Sequence, residues 1–243
     1  VRPQWGLVTN VGESHIELLG SRRNIARAKA ELLEALPAGG MAFVNAANDM
    51  TPELLEFADL DSRGVTCVLY DGTAEAAGRR AALSADEAAR PAVWSEDVRL
   101  DAAGCPRFTL CACGFDGMTE PVRVDCELEL RGMHNVSNAC SAAAVGFAAG
   151  MGAAQVAESL SGAKPEAGRQ EVLQAPGGFT VINDAYNANP DSMRASLSTF
   201  AALDVAGARI AVLGDMGELG FFAPQLHEEV GAFAAACGLD RLV

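Results

Sequence analysis

Lysine is nearly missing from this sequence: two of 243 residues, against sixteen arginines. Basic charge is scarce altogether. Eighteen Lys and Arg face 32 Asp and Glu, for a net charge of −14 and a pI of about 4.6. That balance argues against sequence-independent binding of nucleic acid or of an anionic membrane, since both need a basic face. It leaves room for a local basic pocket around phosphates. No apolar run approaches the ~20 residues that cross a bilayer. The opening VRPQWGLV has no basic-then-apolar leader layout and no initiator Met, and the closing DRLV reads as the beginning of a strand. The sequence is therefore expected to be part of a longer protein. Cysteine is odd in number, at 67, 105, 111, 113, 126, 140 and 237, with spacings that fit no zinc site. Reduced, structural thiols and a cytoplasmic location are the expectation.

What is present is apolar mass. Half of the residues are hydrophobic, enough for a sizeable core in one large or two modest domains. Short apolar runs recur as GLVTN (6–10), MAFVN (41–45), TCVLYD (66–71), FTVIND (179–184) and RIAVLGD (209–215), several ending in Asn or Asp. Helical stretches separate most of them. The pattern predicts α/β units with parallel strands whose carboxyl ends carry ligand groups. FTVIND is expected to be a central parallel strand of a second domain, buried by Val181 and Ile182, with the Asp184 carboxylate in solvent. In VRVDCELELR (122–131) apolar and charged residues alternate, which predicts a half-wet strand in an antiparallel pair with PRFTLCACG (106–114). A helix is expected from about Val136, with Val136, Ala139, Cys140, Ala143 and Phe147 on one side. The Gly- and Pro-rich SGAKPEAGRQ (161–170) marks the best boundary, dividing the chain into 1–164 and 165–243.

Four stretches carry candidate chemistry. In TNVGESHIELLGSRRNIARAKAELLEAL, Ser21 can N-cap a helix with a stripe of Ile25, Ala28, Leu32 and Leu36. Lys29 sits beside that stripe. It either snorkels to water or holds a partly desolvated amine, which favours the neutral, reactive form. His15 lies in the loop after the first strand, near Glu13. In RGMHNVSNA (131–139), Asn135 can cap the next helix; Asn138 carries a donor and an acceptor that suit a base edge. Arg169 is either an ordinary linker residue or a phosphate clamp at a hinge. INDAYNANPDSM (182–193) packs Asp184, Tyr186, Asn187 and Asn189 into six positions, as a solvated corner or as a row of ligand groups.

Taken together, TNVGESH with AKAE, GMHNVSNA, DAYNANPDSM and VLGDMGELG with its later LH resemble the Mur ligases of bacterial peptidoglycan synthesis, and their MurF branch in particular. The resemblance implies the latter part of a central nucleotide-binding domain (1–164), mostly parallel with a small antiparallel segment. Part of a Rossmann-like C-terminal domain (165–243) would follow. It implies ATP-dependent joining of D-Ala-D-Ala to UDP-N-acetylmuramoyl-tripeptide through an acyl phosphate, in the cytoplasm, with ATP and Mg²⁺. His15 would ligate Mg²⁺ together with Lys29 as its carbamate. Asn135 and Asn138 would face adenine, Arg169 the γ-phosphate, and Asp184 and Tyr186 the nucleoside. Asn187 and Asn189 would line the substrate side. The family's Gly-Lys-Thr/Ser phosphate loop is not in these residues, because both lysines follow alanine. The 243-residue chain alone is expected to be inactive. A sister ligase adding another amino acid, or a non-catalytic nucleotide- or dipeptide-binding module, are the alternatives.

Overall fold

A computed structural model of the chain describes residues 2–118 and 120–243. Four strands, β1 (Trp5–Val8), β2 (Met41–Asn45), β3 (Thr66–Asp71) and β4 (Ala92–Leu100), pair in parallel in sequence order. β5 (Pro106–Cys113) and β6 (Val122–Glu127) extend the same sheet in the antiparallel sense. The parallel strands are covered on both sides, which is why they read as unbroken apolar runs. Along β2, Ala42 and Val44 face α2 (Arg22–Glu34) and α3 (Thr51–Ala58). Phe43 between them faces α6 (His134–Ala148), together with Val68, Tyr70 and Val93. β6 alternates as expected, with Cys126 buried while Arg123, Asp125 and Glu127 are exposed. Its pairing with β5 answers the predicted antiparallel hairpin.

Two helix readings need correction. The buried stripe of α2 is Ile25, Ala26, Ala30 and Leu33, continued by Leu36; Leu32 is 38% exposed. Shape decides this, since the small Ala26 and Ala30 let the helix lie close to the sheet. Ser21 does cap α2, accepting from the Asn24 N–H at 3.2 Å. Asn135, by contrast, is no N-cap. α6 begins one residue earlier at His134, and the Asn135 amide donates back to the Arg131 carbonyl at 2.6 Å.

The second half starts differently from expectation. FTVIND is not a central parallel strand. Among the described residues β8 (Thr180–Asn183) pairs only with β7 (Glu171–Gln174), antiparallel, in a two-stranded hairpin. On one face Val181 and its partner Leu173 are 36% and 42% exposed, and on the other Val172, opposite Ile182, is 36% exposed, so neither face is fully covered. The turn APGG between the two strands explains the hairpin: Ala175 accepts from the Gly178 N–H and donates to the Phe179 carbonyl, both at 2.9 Å. The parallel element of this half is short, β9 (Ile210–Ala211) beside β10 (Arg241–Leu242), flanked by α8 (Pro190–Ala201) and α9 (Ala223–Ala236). DRLV thus supplies the strand it suggested. One apolar cluster ties the two halves: Val11, Ile16, Ile25 and Ala26 pack with Leu197, Met216, Leu219, Leu226 and Val230. Among the described residues, no helix is long and apolar enough to cross a membrane.

Candidate functional site

The loop after β1 brings Glu13 and His15 to the junction of the halves, and α2 adds Lys29. Lys29 reaches back from α2 and donates to the Asn10 carbonyl at 2.8 Å. Burial lowers its pKa, because a desolvated amine resists charging. Its head is therefore not simply in water. His15 adopts a left-handed backbone (φ 67°), and its Nδ1 pairs with Glu218 of the second half. His15 Nε2 has no hydrogen-bond partner among the described residues. Glu13 has a buried Oε2 with no partner among the described residues, and its pKa is raised by desolvation and then by the neighbouring Asp191 charge. Arg22 grips both oxygens of Asp49 at 2.7 and 2.5 Å and donates to the Val11 carbonyl at 2.8 Å. That clamp fixes the loop's start.

These groups fit part of a divalent-cation site. The imidazole Nε2, the unpaired Glu13 oxygen and a poorly solvated Lys29 amine each lack full satisfaction. Carbamylation of that amine would add oxygens, which a hard cation prefers. Among the described residues, no three His, Cys, Asp or Glu side chains converge by themselves on a metal position.

The second group gathers around the turn before α6. Gly132 has φ 92°, and a Cβ there would stand 2.4 Å from Thr199 Oγ1 on α8. The Gly132 backbone therefore lies directly against the Thr199 side chain of α8. His134 is half-buried, and its pKa is lowered by desolvation, with the Asp184 charge opposing. Asn138 donates to Asn135 Oδ1 at 3.0 Å, so the two amides hold each other. Asp184 Oδ1 accepts from the Gln170 N–H at 3.2 Å. Instead of standing free in solvent, this carboxylate braces the segment that leads into β7. Beside it Arg169 stacks on Tyr186, 3.9 Å from guanidinium carbon to ring centroid. Asn187 Oδ1 accepts from the Ala188 N–H, and Asn189 N-caps α8 by accepting from the Ser192 N–H at 2.9 Å. Turn chemistry thus accounts for both asparagines, while Asp184 and Tyr186 reach across to 168–170.

Sequence reasoning did not single out Glu218. Only VLGDMGELG with its LH carried a signal, and the structure explains it. His227 of α9 accepts the Met216 N–H at Nε2 (3.0 Å), and its Nδ1 lies 2.8 Å from the Ala223 carbonyl. The histidine pins the Gly-rich loop that carries Glu218.

Two family models match the chain: the Mur ligase middle domain over residues 1–146, and the Mur ligase, glutamate ligase domain over residues 168–243. The chain belongs to the Mur ligase family. It is 37% identical over 246 residues to the UDP-N-acetylmuramoyl-tripeptide–D-alanyl-D-alanine ligase of Mycobacterium tuberculosis, covering 99% of this chain and 43% of that protein. The Escherichia coli protein of the same name is 30% identical over 242 residues, covering 100% and 47%. The crystal structure of MurF from Acinetobacter baumannii superposes with a TM-score of 0.80 at 27% identity, covering all of this chain and 46% of that one. The α/β fold with its mostly parallel sheet is thus the Mur ligase fold. The chain spans less than half the length of these relatives.

Proposed function

We propose that the protein to which this chain belongs is the Mur ligase that joins D-Ala-D-Ala to UDP-N-acetylmuramoyl-tripeptide in the cytoplasm, using ATP and Mg²⁺. The observation that carries this reading is 37% identity along 99% of the chain to a ligase of that name. The junction chemistry supports it. We assign residues 1–164 to the central domain and 165–243 to the C-terminal domain, so that the site lies between them.

In this reaction the tripeptide carboxylate attacks the γ-phosphorus of ATP and ADP leaves. The dipeptide amine then attacks the acyl phosphate, losing a proton as phosphate departs and the amide forms. Arg169, exposed beside the interdomain segment, is the cation for the transferring phosphoryl group. Tyr186 holds its guanidinium flat, which restricts the fork to edge-on bonds. Asp184 is the ribose acceptor, one of its oxygens already fixed by Gln170. Asn135 and Asn138 hold each other and offer their remaining polar atoms to the adenine edge. Asn187 and Asn189 line the entry to α8 on the substrate side. His15 and carbamylated Lys29 would hold Mg²⁺, which supplies charge neutralisation at the phosphates.

The test is the full-length enzyme with UDP-N-acetylmuramoyl-tripeptide, ATP and a panel of amines. ADP release that depends on D-Ala-D-Ala, with a product heavier by the dipeptide, is the expected result. Asp184→Asn should raise KM for ATP by roughly tenfold, about 1.4 kcal/mol. Turnover only with another amino acid would make it a sister ligase, and nucleotide binding without turnover a binding module.

A further inference from the structure

The contact between His15 and Glu218 joins the two halves at a candidate metal ligand. Several observations show that it is built rather than incidental. The Glu17 N–H donates to the Glu218 carbonyl at 3.1 Å, so backbone as well as side chain crosses the junction. Both His15 (φ 67°) and Glu218 (φ 59°) are left-handed without being glycine, a conformation that persists only where the surroundings enforce it. Two residues after Glu218, a Cβ on Gly220 would stand 2.8 Å from Glu17 Cγ and 3.2 Å from its Cα. The loop therefore lies flat on the start of α1 (Ile16–Leu19). Beneath it, Met216 and Leu219 are buried with Ile16, and His227 holds the loop's other side.

We propose that Glu218 is a positioning residue: it accepts the Nδ1 proton of His15 and thereby leaves Nε2 unprotonated and pointed away as the ring's only lone pair. A neutral imidazole carries one proton, so occupying Nδ1–H decides which nitrogen can bind a cation. Carboxylates commonly orient metal-bound histidines in this way. Here the carboxylate comes from the other domain, so docking of the Gly-rich loop prepares the ring. The significance for catalysis rests on the reading of His15 as a cation ligand; the tautomer itself does not.

The experiment is ¹⁵N correlation spectroscopy of histidine rings in the 243-residue chain, at a pH where imidazoles are neutral. Only three histidines are present. His227 serves as the internal reference, since its Nδ1 can only donate to a carbonyl. His15→Gln assigns the remaining signals. His15 is expected as the Nδ1–H tautomer, to switch mainly to Nε2–H in Glu218→Ala, and to stay Nδ1–H in Glu218→Gln, whose amide oxygen still accepts. A wild-type Nε2–H tautomer, or no change in Glu218→Ala, overturns the proposal. In the full-length enzyme with ATP, Glu218→Ala should weaken Mn²⁺ binding, read by electron paramagnetic resonance, by roughly 10–100-fold. If His15→Ala leaves Mn²⁺ affinity unchanged while the tautomer result holds, the ligand reading of His15 fails and the positioning stands.

Discussion

Replacing Gly132 with alanine tests whether the turn before α6 and helix α8 are fitted to each other. The new methyl would stand 2.4 Å from Thr199 Oγ1, 2.8 Å from His134 Cε1 and 2.9 Å from His134 Nδ1. Thr199 cannot yield cheaply: it is buried, and its hydroxyl donates to the Ala195 carbonyl at 2.8 Å. The backbone adds its own penalty, because φ is 92°. A left-handed non-glycine residue costs about 1–3 kcal/mol, and overpacking a further 1–3 kcal/mol or so. The expected loss is therefore roughly 2–6 kcal/mol, a large share of the ~5–15 kcal/mol that holds a typical fold. Urea unfolding measures it. Thr199→Ala removes the nearest obstacle, so the double variant should recover about 1 kcal/mol or more relative to additivity. A loss below about 0.5 kcal/mol, the usual range of an inert surface change, would refute the fit, and strict additivity in the cycle would refute Thr199 as its cause.

Other outcomes follow from the charged groups. His134 has its folded pKa depressed by desolvation, so its contribution is present above the unfolded value near 6.5 and is lost as pH falls through the folded value; His134→Gln should flatten the decline of melting temperature on acidification from pH 7, and an unchanged slope would show that another group causes it. Glu13 has the opposite sign: its pKa is raised by desolvation, so it destabilises once pH rises through the folded value. Glu13→Gln should raise the melting temperature at pH 7 and lose that advantage below about pH 4, whereas a lower melting temperature at pH 7 would contradict the unpaired carboxylate. In the full-length enzyme Lys29→Ala should abolish most turnover and respond to a short-chain carboxylic acid but not to bicarbonate; normal turnover would show that the amine serves only the Asn10 carbonyl. The 243-residue chain alone should release no phosphate from ATP above a protein-free blank.

The parallel sheet was legible because burial on both faces writes itself as apolar runs, and β6 because a half-wet strand must alternate. β4 was missed: its buried Ala92, Val93 and Trp94 pass into the mixed SEDVRL, so neither a continuous run nor a clean alternation spans it. FTVIND misled for a related reason. Its composition is that of a central strand, yet β-propensity reports fit to a covered surface, and here the covering elements are missing from both faces. In α2, the position of Lys29 was read correctly although the stripe was not, since Ala30 rather than Leu32 turns inward beside it. Asp184 and Tyr186 were singled out by residue type and strand-end position, and Arg169 by its place in the segment between the halves. Their mutual contacts were not legible, because each partner lies across a turn that no periodicity marks.

The residues that sequence reasoning could not place share a backbone property. Five described non-glycine residues have positive φ: His15, Asp59, Asp97, Gln170 and Glu218. Asp59 and Asp97 belong to the type that tolerates this region locally, through its short polar side chain. Histidine is also enriched there, whereas Gln170 and Glu218 have no such local excuse. His15 and Glu218 hold each other, and Gln170 is held through its N–H by Asp184. The first contact joins segments far apart in sequence, and the second closes the hairpin of β7 and β8. A chain under selection for stability alone would relax these positions to Asn or Gly. The unpaired Glu13 oxygen lies two residues before His15, and the cation proposed for this junction would satisfy it.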